Sequence, residues 1–249
     1  MLVTFAVDAE FAPWRRSRKF AEIGDGPCRI YTERSGDLEI NVMLTGIAGR
    51  SSWWQTAKTA WRGGLDICVS SGLAGALRAN HPIGQVLAAK KVYSANWSKT
   101  VVADEALMEV AGECGAQQVE SFYSADHVVL SASEKQELGK RSDAVEMESG
   151  VILSQAAELG ARCIAIRGIS DGAQEDMPLD FNRVTTASGQ VSIPRIVGEV
   201  AMHPKAIPTL IRFGQQSRMA AKRLTEFLDR YMEALAKSSK VRAKEMLSS

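Results

Sequence analysis

Glu148 and Asp171 are the residues best placed to do chemistry. Glu148 sits in Val145-Glu146-Met147-Glu148-Ser149, and Asp171, 23 positions later, closes Arg167-Gly168-Ile169-Ser170-Asp171. Each carboxylate follows an apolar run that reads as a buried strand, and open α/β sheets place their chemistry at strand ends. Two acids in such positions are what general acid and base catalysis requires. Two other segments end strands in the same way: Ala6-Val7-Asp8-Ala9-Glu10 after the first, and Ser70-Ser71-Gly72-Leu73-Ala74-Gly75 after the third. Each also has a plain structural reading. Gly72 and Gly75 suit a tight strand-to-helix turn, and Glu148 suits the positive end of a helix dipole. Ser170-Asp171-Gly172 suits an ordinary turn, and Glu10 suits an exposed loop.

The elements that must position these residues alternate along the chain. Leu2–Val7 is a short apolar run, and Leu38, Ile40, Val42 and Leu44 alternate with polar residues. Further strands are expected at Ile67–Ser70, Gln85–Val92, Val119–Tyr123, His127–Leu130, Val145–Met147 and Cys163–Ile166. Helices are expected from Ser51 or Ser52 through Trp61, from a capping box at Ser133-Glu134-Lys135-Gln136, and from Glu148 to Leu159. Strand–helix alternation of this kind predicts one α/β domain over 1–249 with a largely parallel sheet. Near the end, Pro204 and Pro208 mark the approach to a helix whose Leu224, Phe227, Leu228, Tyr231, Met232 and Leu235 share one face. We read 203–236 as a C-terminal helical extension and 237–249, polar and basic, as a frayed tail.

Composition excludes several classes. Thirty basic residues balance 29 acidic ones, without the basic stripe of a nucleic-acid binder. Cys28, Cys68, Cys114 and Cys163 are scattered and form no Cys-x-x-Cys pair, so free thiols are expected and no metal site. The start, Met1-Leu-Val-Thr-Phe-Ala-Val7, reaches Asp8 without a basic segment, unlike a signal peptide. No apolar run approaches the roughly 20 residues that span a bilayer. A cytoplasmic protein without stable membrane insertion is the expectation.

Taken in order, the four segments resemble the purine nucleoside phosphorylase and nucleosidase superfamily, over roughly residues 1–200. The family's Ser/Thr-Gly-x-Ala-Gly turn is similar to Ser71–Gly75, its Val-Glu-Met-Glu segment to 145–148, and its Arg-x-Ile-Ser-Asp segment to 167–171. The likeness is nearest to the methylthioadenosine/S-adenosylhomocysteine nucleosidases. The part from about His203 looks more like the hopanoid-associated phosphorylase-like members. The resemblance implies a single three-layer α/β/α domain with a twisted, mixed, largely parallel central sheet. It also implies cleavage of a nucleoside's N-glycosidic bond without a cofactor, possible phosphate use, and a homodimer.

By the same resemblance, Asp171 protonates the departing base and Ser170 orients it. Glu148 grips the ribose hydroxyls, Met147 lies against the sugar, and Glu10 handles the attacking water. Gly72, Leu73 and Arg50 would line the nucleophile or anion side, and Val128 and Val129 the base. The chemistry agrees with these assignments: cleavage leaves a cationic sugar and builds negative charge on the base, which a neutral carboxylic acid can discharge. Two departures stand out. Leu73 replaces a small hydroxyl residue in the glycine turn, and Val128-Val129 stand where relatives carry a stacking aromatic. Glu10 is present and an arginine before the glycine turn is absent, which favours water over phosphate. A phosphorolytic enzyme and a silent nucleoside binder are the alternatives. Three tryptophans, Trp53, Trp54 and Trp61, form a cluster that suits either a core or a dimer contact.

Overall fold

The computed structural model describes residues 1–23, 28–36, 38–49, 53–95, 99–184 and 206–247, with 183–184 and 238–247 as backbone only. The first half of the chain runs β1 (Leu2–Phe5), α1 (Asp8–Ser17), β2 (Ala21–Ile23), β3 (Ile30–Ser35), β4 (Leu38–Leu44), α2 (Trp53–Ala60), β5 (Ile67–Ala76) and β6 (Val86–Ser94). It continues through β7 (Thr100–Val102), α3 (Glu105–Glu113), β8 (Gln117–Ser124), α4 (Ala132–Gly139), β9 (Ala144–Glu146), α5 (Ser149–Glu158) and β10 (Arg162–Asp171). Among the described residues α6 (Phe181–Val184) and α7 (Ile207–Leu247) follow.

Strict alternation along the buried strands splits the core in two. Leu2, Cys68, Cys163 and Ala165 face Trp53 of α2 and Ile152, Leu153 and Ala156 of α5. Their neighbours Val3, Val69, Ile164 and Ile166 face Phe11 and Trp14 of α1, Leu107 of α3, and Leu224, Phe227, Tyr231 and Met232 of α7. The result is a helix–sheet–helix sandwich, in which each fully buried large apolar side chain contributes roughly 1.5–3 kcal/mol. The polar tips of this core are also held: Trp14 Nε1 donates to Asp229 (2.8 Å) and the Tyr231 hydroxyl to the Leu107 carbonyl (3.1 Å).

The sheet is mixed, and it curls. β1 lies parallel between β4 and β5, and the hairpin partners β3 and β2 extend the far edge. On the other side β5 pairs with β10, β10 with β6, β6 with β8, and β8 with β9. Then β9 returns antiparallel to Gly75 and Ala76 of β5, so these five strands close into a ring. The ring brings the end of β5, the end of β10 and the end of β9 to one place.

Several sequence expectations need correction. Glu10 is on the first turn of α1, a helix whose internal Pro13 hid its pattern. His127–Leu130 is a loop, not a strand: the Asn182 side chain accepts from the Val128 amide (2.8 Å) and donates to its carbonyl (3.1 Å), taking the bonds a ladder would need. The cap of α4 is Ser131, whose hydroxyl accepts from the Glu134 amide. The last helix is one 41-residue element that passes the expected boundary at 236. Trp53 belongs to the core, while Trp54 and Trp61 are half-buried beside it. Ser51 and Ser52 lie outside the described residues.

Candidate active site

Four chain reversals converge on a cavity of about 240 Å³ lined by Glu10, Leu73, Val128, Val129, Met147, Glu148, Ser170 and Asp171. Nearly every residue singled out from the sequence is therefore in one place. Gly72 stands directly behind Glu10. Arg50 lies outside the described residues.

Glu10 is held by backbone. Its Oε2 accepts from the amides of Ala6 (3.1 Å) and Val7 (3.4 Å), and its Oε1 from the amide of Leu73 (2.9 Å). The glycine turn thus anchors a carboxylate with the amide that was expected to line an anion site. Gly72 has φ +148°, and a Cβ there would stand 3.0 Å from Glu10 Oε1, so only glycine permits this approach. Burial pushes the Glu10 carboxyl up, against the lowering effect of these amides and of Arg167.

At the sugar side by the assignments above, β9 ends in a buried carboxylate cluster. Glu146 Oε2 accepts from the amides of Glu148 (2.9 Å) and Ser149 (2.8 Å) and meets Nη2 of Arg167 at 2.5 Å. Arg167 is fully buried, and its guanidinium also donates to the Ser70 carbonyl (2.8 Å) and the Ser149 hydroxyl (2.8 Å). Glu148 is only loosely paired with it, at 3.8 Å. Its Oε1 accepts from the amide of Ala48 (3.0 Å), a residue in the left-handed region at φ 58°. Burial and the nearby Glu146 and Glu10 charges push the Glu148 carboxyl up to about 8, with Arg167 and the Ala48 amide opposing.

The opposite end is built by a bulge. The β10–β5 register shifts between Ile169 and Asp171, which sets Asp171 opposite Gly75. A Cβ on Gly75 would be 2.8 Å from Asp171 Oδ2, so this glycine too makes room for an acid. Ser170 Oγ is within hydrogen-bond reach of Asp171 Oδ1 (2.7 Å) and of the Ala74 carbonyl (3.2 Å). Asp171 Oδ2 accepts from Lys135 Nζ at 2.6 Å.

Sequence reasoning missed three things here. Lys135 of α4 is fully buried and lines the cavity. Phe181 and Phe213 also line it, their ring centroids 5.5 Å apart, so aromatic surface is present although Val128-Val129 supply none. Arg167 and Glu146 stood inside quoted motifs but carried no assigned role. A hint existed for Lys135, which shares a helical face with Leu138 and Gly139, the face of α4 that packs inward. His127 is on the rim, near Asp126 (2.7 Å) and Glu134 (3.1 Å), and both raise its pKa. Among the described residues no cluster of metal-ligating side chains occurs. No described helix is long and apolar enough to cross a membrane. From the cavity a groove of about 1000 Å³ runs between α1 and α7, sharing Glu10, Leu73, Ser170 and Phe213 with it.

These features define an α/β protein whose mixed sheet curls to gather Glu10, Glu146, Glu148 and Asp171 around a partly apolar pocket. A sequence model of the phosphorylase superfamily matches residues 6–197, and the chain belongs to that superfamily. Its fold is also that of solved nucleosidases. The 5′-methylthioadenosine/S-adenosylhomocysteine nucleosidase of Helicobacter pylori is similar with a TM-score of 0.69 and 18% identity, covering 93% of this chain and 97% of that one. The futalosine hydrolase of the same organism has a TM-score of 0.69 and 18% identity, covering 93% and 96%. The Neisseria meningitidis nucleosidase, solved with methylthio-immucillin-A, has a TM-score of 0.69 and 17% identity, covering 94% and 98%.

Proposed function

We propose that this protein hydrolyses the N-glycosidic bond of a purine nucleoside. One observation carries the reading: Glu10 on the first turn of α1, Glu148 just after β9 and Asp171 at the end of β10 line one cavity, each in a different electrostatic setting. Bond cleavage needs three separate services, and the site has a residue for each.

The base lies between Val129, Met177, Phe181 and Phe213, where apolar and aromatic surface suits a flat heterocycle. Asp171, steadied by Ser170, gives a proton to the departing ring nitrogen. Val128 is committed to Asn182, so Val129 is left to meet the base edge. Glu148 accepts from the ribose hydroxyls, bonds that strengthen as the sugar becomes cationic, and Met147 packs on the sugar. Glu10, fixed by three amides, orients the water and takes its proton. The amides of Leu73 and Ala48 are occupied by carboxylates, which leaves fewer donors for a phosphate and supports water as the acceptor. The relatives named as nucleosidases and hydrolase support the same choice. A homodimer, with the half-buried Trp54 at its contact, belongs to this proposal, and light scattering on Trp54→Ala is expected to show a weakened dimer.

The test is a panel of purine nucleosides incubated with the protein, with and without phosphate, and assayed for free base. Release independent of phosphate is expected. Strict phosphate dependence would make the protein a phosphorylase. Calorimetric binding of nucleoside with no base released would make it a silent binder.

A further inference from the structure

Lys135 has no role in the chemistry just described, yet it is 0% exposed and placed directly behind the acid. Nζ donates to Asp171 Oδ2 (2.6 Å), to the Gly172 carbonyl (3.0 Å) and to the Glu175 carbonyl (2.8 Å). An ammonium has three hydrogens, and here all three have acceptors. Burying such a charge is costly unless a counter-charge and further hydrogen bonds offset it, and this site supplies both. Its placement is enforced by backbone. A Cβ on Gly139 would collide with the Leu77 carbonyl, so the end of α4 is pressed against the segment that follows β5. The Gly172 amide in turn donates to the Glu175 side chain (3.1 Å), which fixes the turn that carries both carbonyl acceptors.

This arrangement conflicts with the acid's task. A carboxylate that accepts from an ammonium is ionised, and an ionised Asp171 has no proton to give. We propose that Lys135 is a positioning residue that also supplies the proton Asp171 delivers, an inference that rests on the nucleosidase reading. As the bond between the sugar's anomeric carbon and the base nitrogen breaks, its electron pair stays with the base. One proton leaves Nζ for the Asp171 carboxylate, and one leaves that carboxyl for the base. The neutral amine keeps two hydrogens, enough for Gly172 and Glu175, and its lone pair faces the Asp171 carboxyl. The attacking water loses its proton to Glu10, which passes it to solvent. Lys135 regains a proton from solvent once the base has left. The three-acceptor cage therefore suits both states of the lysine. Arginine would hold the same charge but not release it, since guanidinium is not deprotonated in proteins.

The experiment uses Lys135→Met and Lys135→Arg with a nucleoside that the wild-type protein cleaves, and with its N7-methylated counterpart. The methylated base departs neutral and needs no proton. Both variants are expected to lose roughly 10²-fold in kcat on the ordinary nucleoside, the lower range for a positioned acid, with KM little changed. Both should cleave the methylated substrate at the wild-type rate. Wild-type turnover of the ordinary nucleoside by Lys135→Arg would overturn the proposal, because charge alone would then suffice. So would a parallel loss on both substrates by variants that melt like the wild type, which marks a structural role. If Lys135→Met does not fold, Lys135→Gln takes its place. Failure of the wild-type protein to release any base defeats the nucleosidase reading itself, a result seen before any variant is made.

Discussion

The two ends of the cavity treat a carboxylate in opposite ways. At the proposed sugar end Glu148 is kept 3.8 Å from Arg167, crowded by Glu146 and Glu10, and pushed up to about 8. At the base end Asp171 is in direct contact with a buried ammonium at 2.6 Å. Both sites bury an acid beside a basic residue, so residue types alone do not distinguish them. Distance and competition do. Arg167 is already engaged by Glu146, whose carboxylate takes the closest approach, and Glu148 receives what remains. Lys135 has no second carboxylate within salt-bridge range among the described residues, and Asp171 has it alone. One end is poised to lose a proton when a hydroxyl-bearing sugar arrives. In the proposed relay the other holds its proton on the lysine until a base departs.

The largest effect should follow from breaking the base end. Asp171→Asn keeps the shape and removes the proton path, so kcat for base release should fall roughly 10²–10⁴-fold. The melting temperature is a necessary control, because the change also strands Lys135. Near-normal turnover would remove Asp171 from the mechanism. Gly75→Ala approaches the same end without touching the acid's chemistry. The added Cβ would stand 2.8 Å from Asp171 Oδ2 and 3.4 Å from Val145, so the carboxylate must shift. Misplacement by about 1 Å can cost on the order of 10²-fold in rate. Gly72→Ala should disturb Glu10 instead. If the two ends act separately, it should slow N7-methylated and ordinary nucleosides alike, whereas Gly75→Ala should spare the methylated one.

The sugar end is sharpened by pH. The Glu148 carboxyl is raised from an ordinary 4.5 to about 8, so below 8 it is neutral in the free protein. Ribose hydroxyls donate to the ionised form. Nucleoside affinity should therefore rise about tenfold per pH unit up to 8 and then level off, a slope worth about 1.4 kcal/mol per unit. Stability runs the other way. A raised acid stabilises the fold fully below 4.5, and that contribution is lost as pH rises through 8, because over this window the folded state binds the extra proton. Calorimetry between pH 5 and 9, an interval of about 4 units on this scale, should show affinity climbing while the melting temperature declines. Glu148→Gln should flatten both curves. A flat binding curve in the wild type would mean that the sugar does not meet an ionised Glu148.

How far the sequence reveals this contrast depends on locality. Glu10, Glu148 and Asp171 were legible because each closes or follows a strand within a short, ordered motif, and the strands themselves were apolar runs. The alternation of strands with helices along the chain likewise made the α/β class readable. Lys135 was not legible. It lies in Ser133-Glu134-Lys135-Gln136, where lysine is normally solvated, and its burial is decided by Leu77, Gly172 and Glu175, which are far away in the chain. Phe181 and Phe213 come from segments that carry no motif, so the aromatic wall was sought at Val128-Val129 and found elsewhere. Val128 and Val129 have the side chains of a strand, but a single asparagine claims the Val128 backbone. The ring closure rests on β9, expected as a strand at Val145–Met147, but its antiparallel return to Gly75 and Ala76 is a long-range pairing that no local pattern reveals.

The smallest predicted effect tests how finely the base end is tuned. Ser170 Oγ reaches both Asp171 Oδ1 (2.7 Å) and the Ala74 carbonyl (3.2 Å), and one hydroxyl hydrogen cannot serve both at full strength. When Asp171 is ionised the hydroxyl should donate to it. When Asp171 is protonated the same hydroxyl can turn to Ala74. Ser170 thus helps hold the charged state, as Lys135 does, but with a neutral donor. A typical hydrogen bond contributes about 0.5–1.5 kcal/mol, so Ser170→Ala should change kcat only about two- to tenfold, far less than a change at Lys135. Adding Lys135→Met to Ser170→Ala should give less than the sum of the two effects, since both donors serve one carboxyl group. Strict additivity in that double-mutant cycle would mean that Ser170 and Lys135 act on different steps, and the base end would then be two devices and not one.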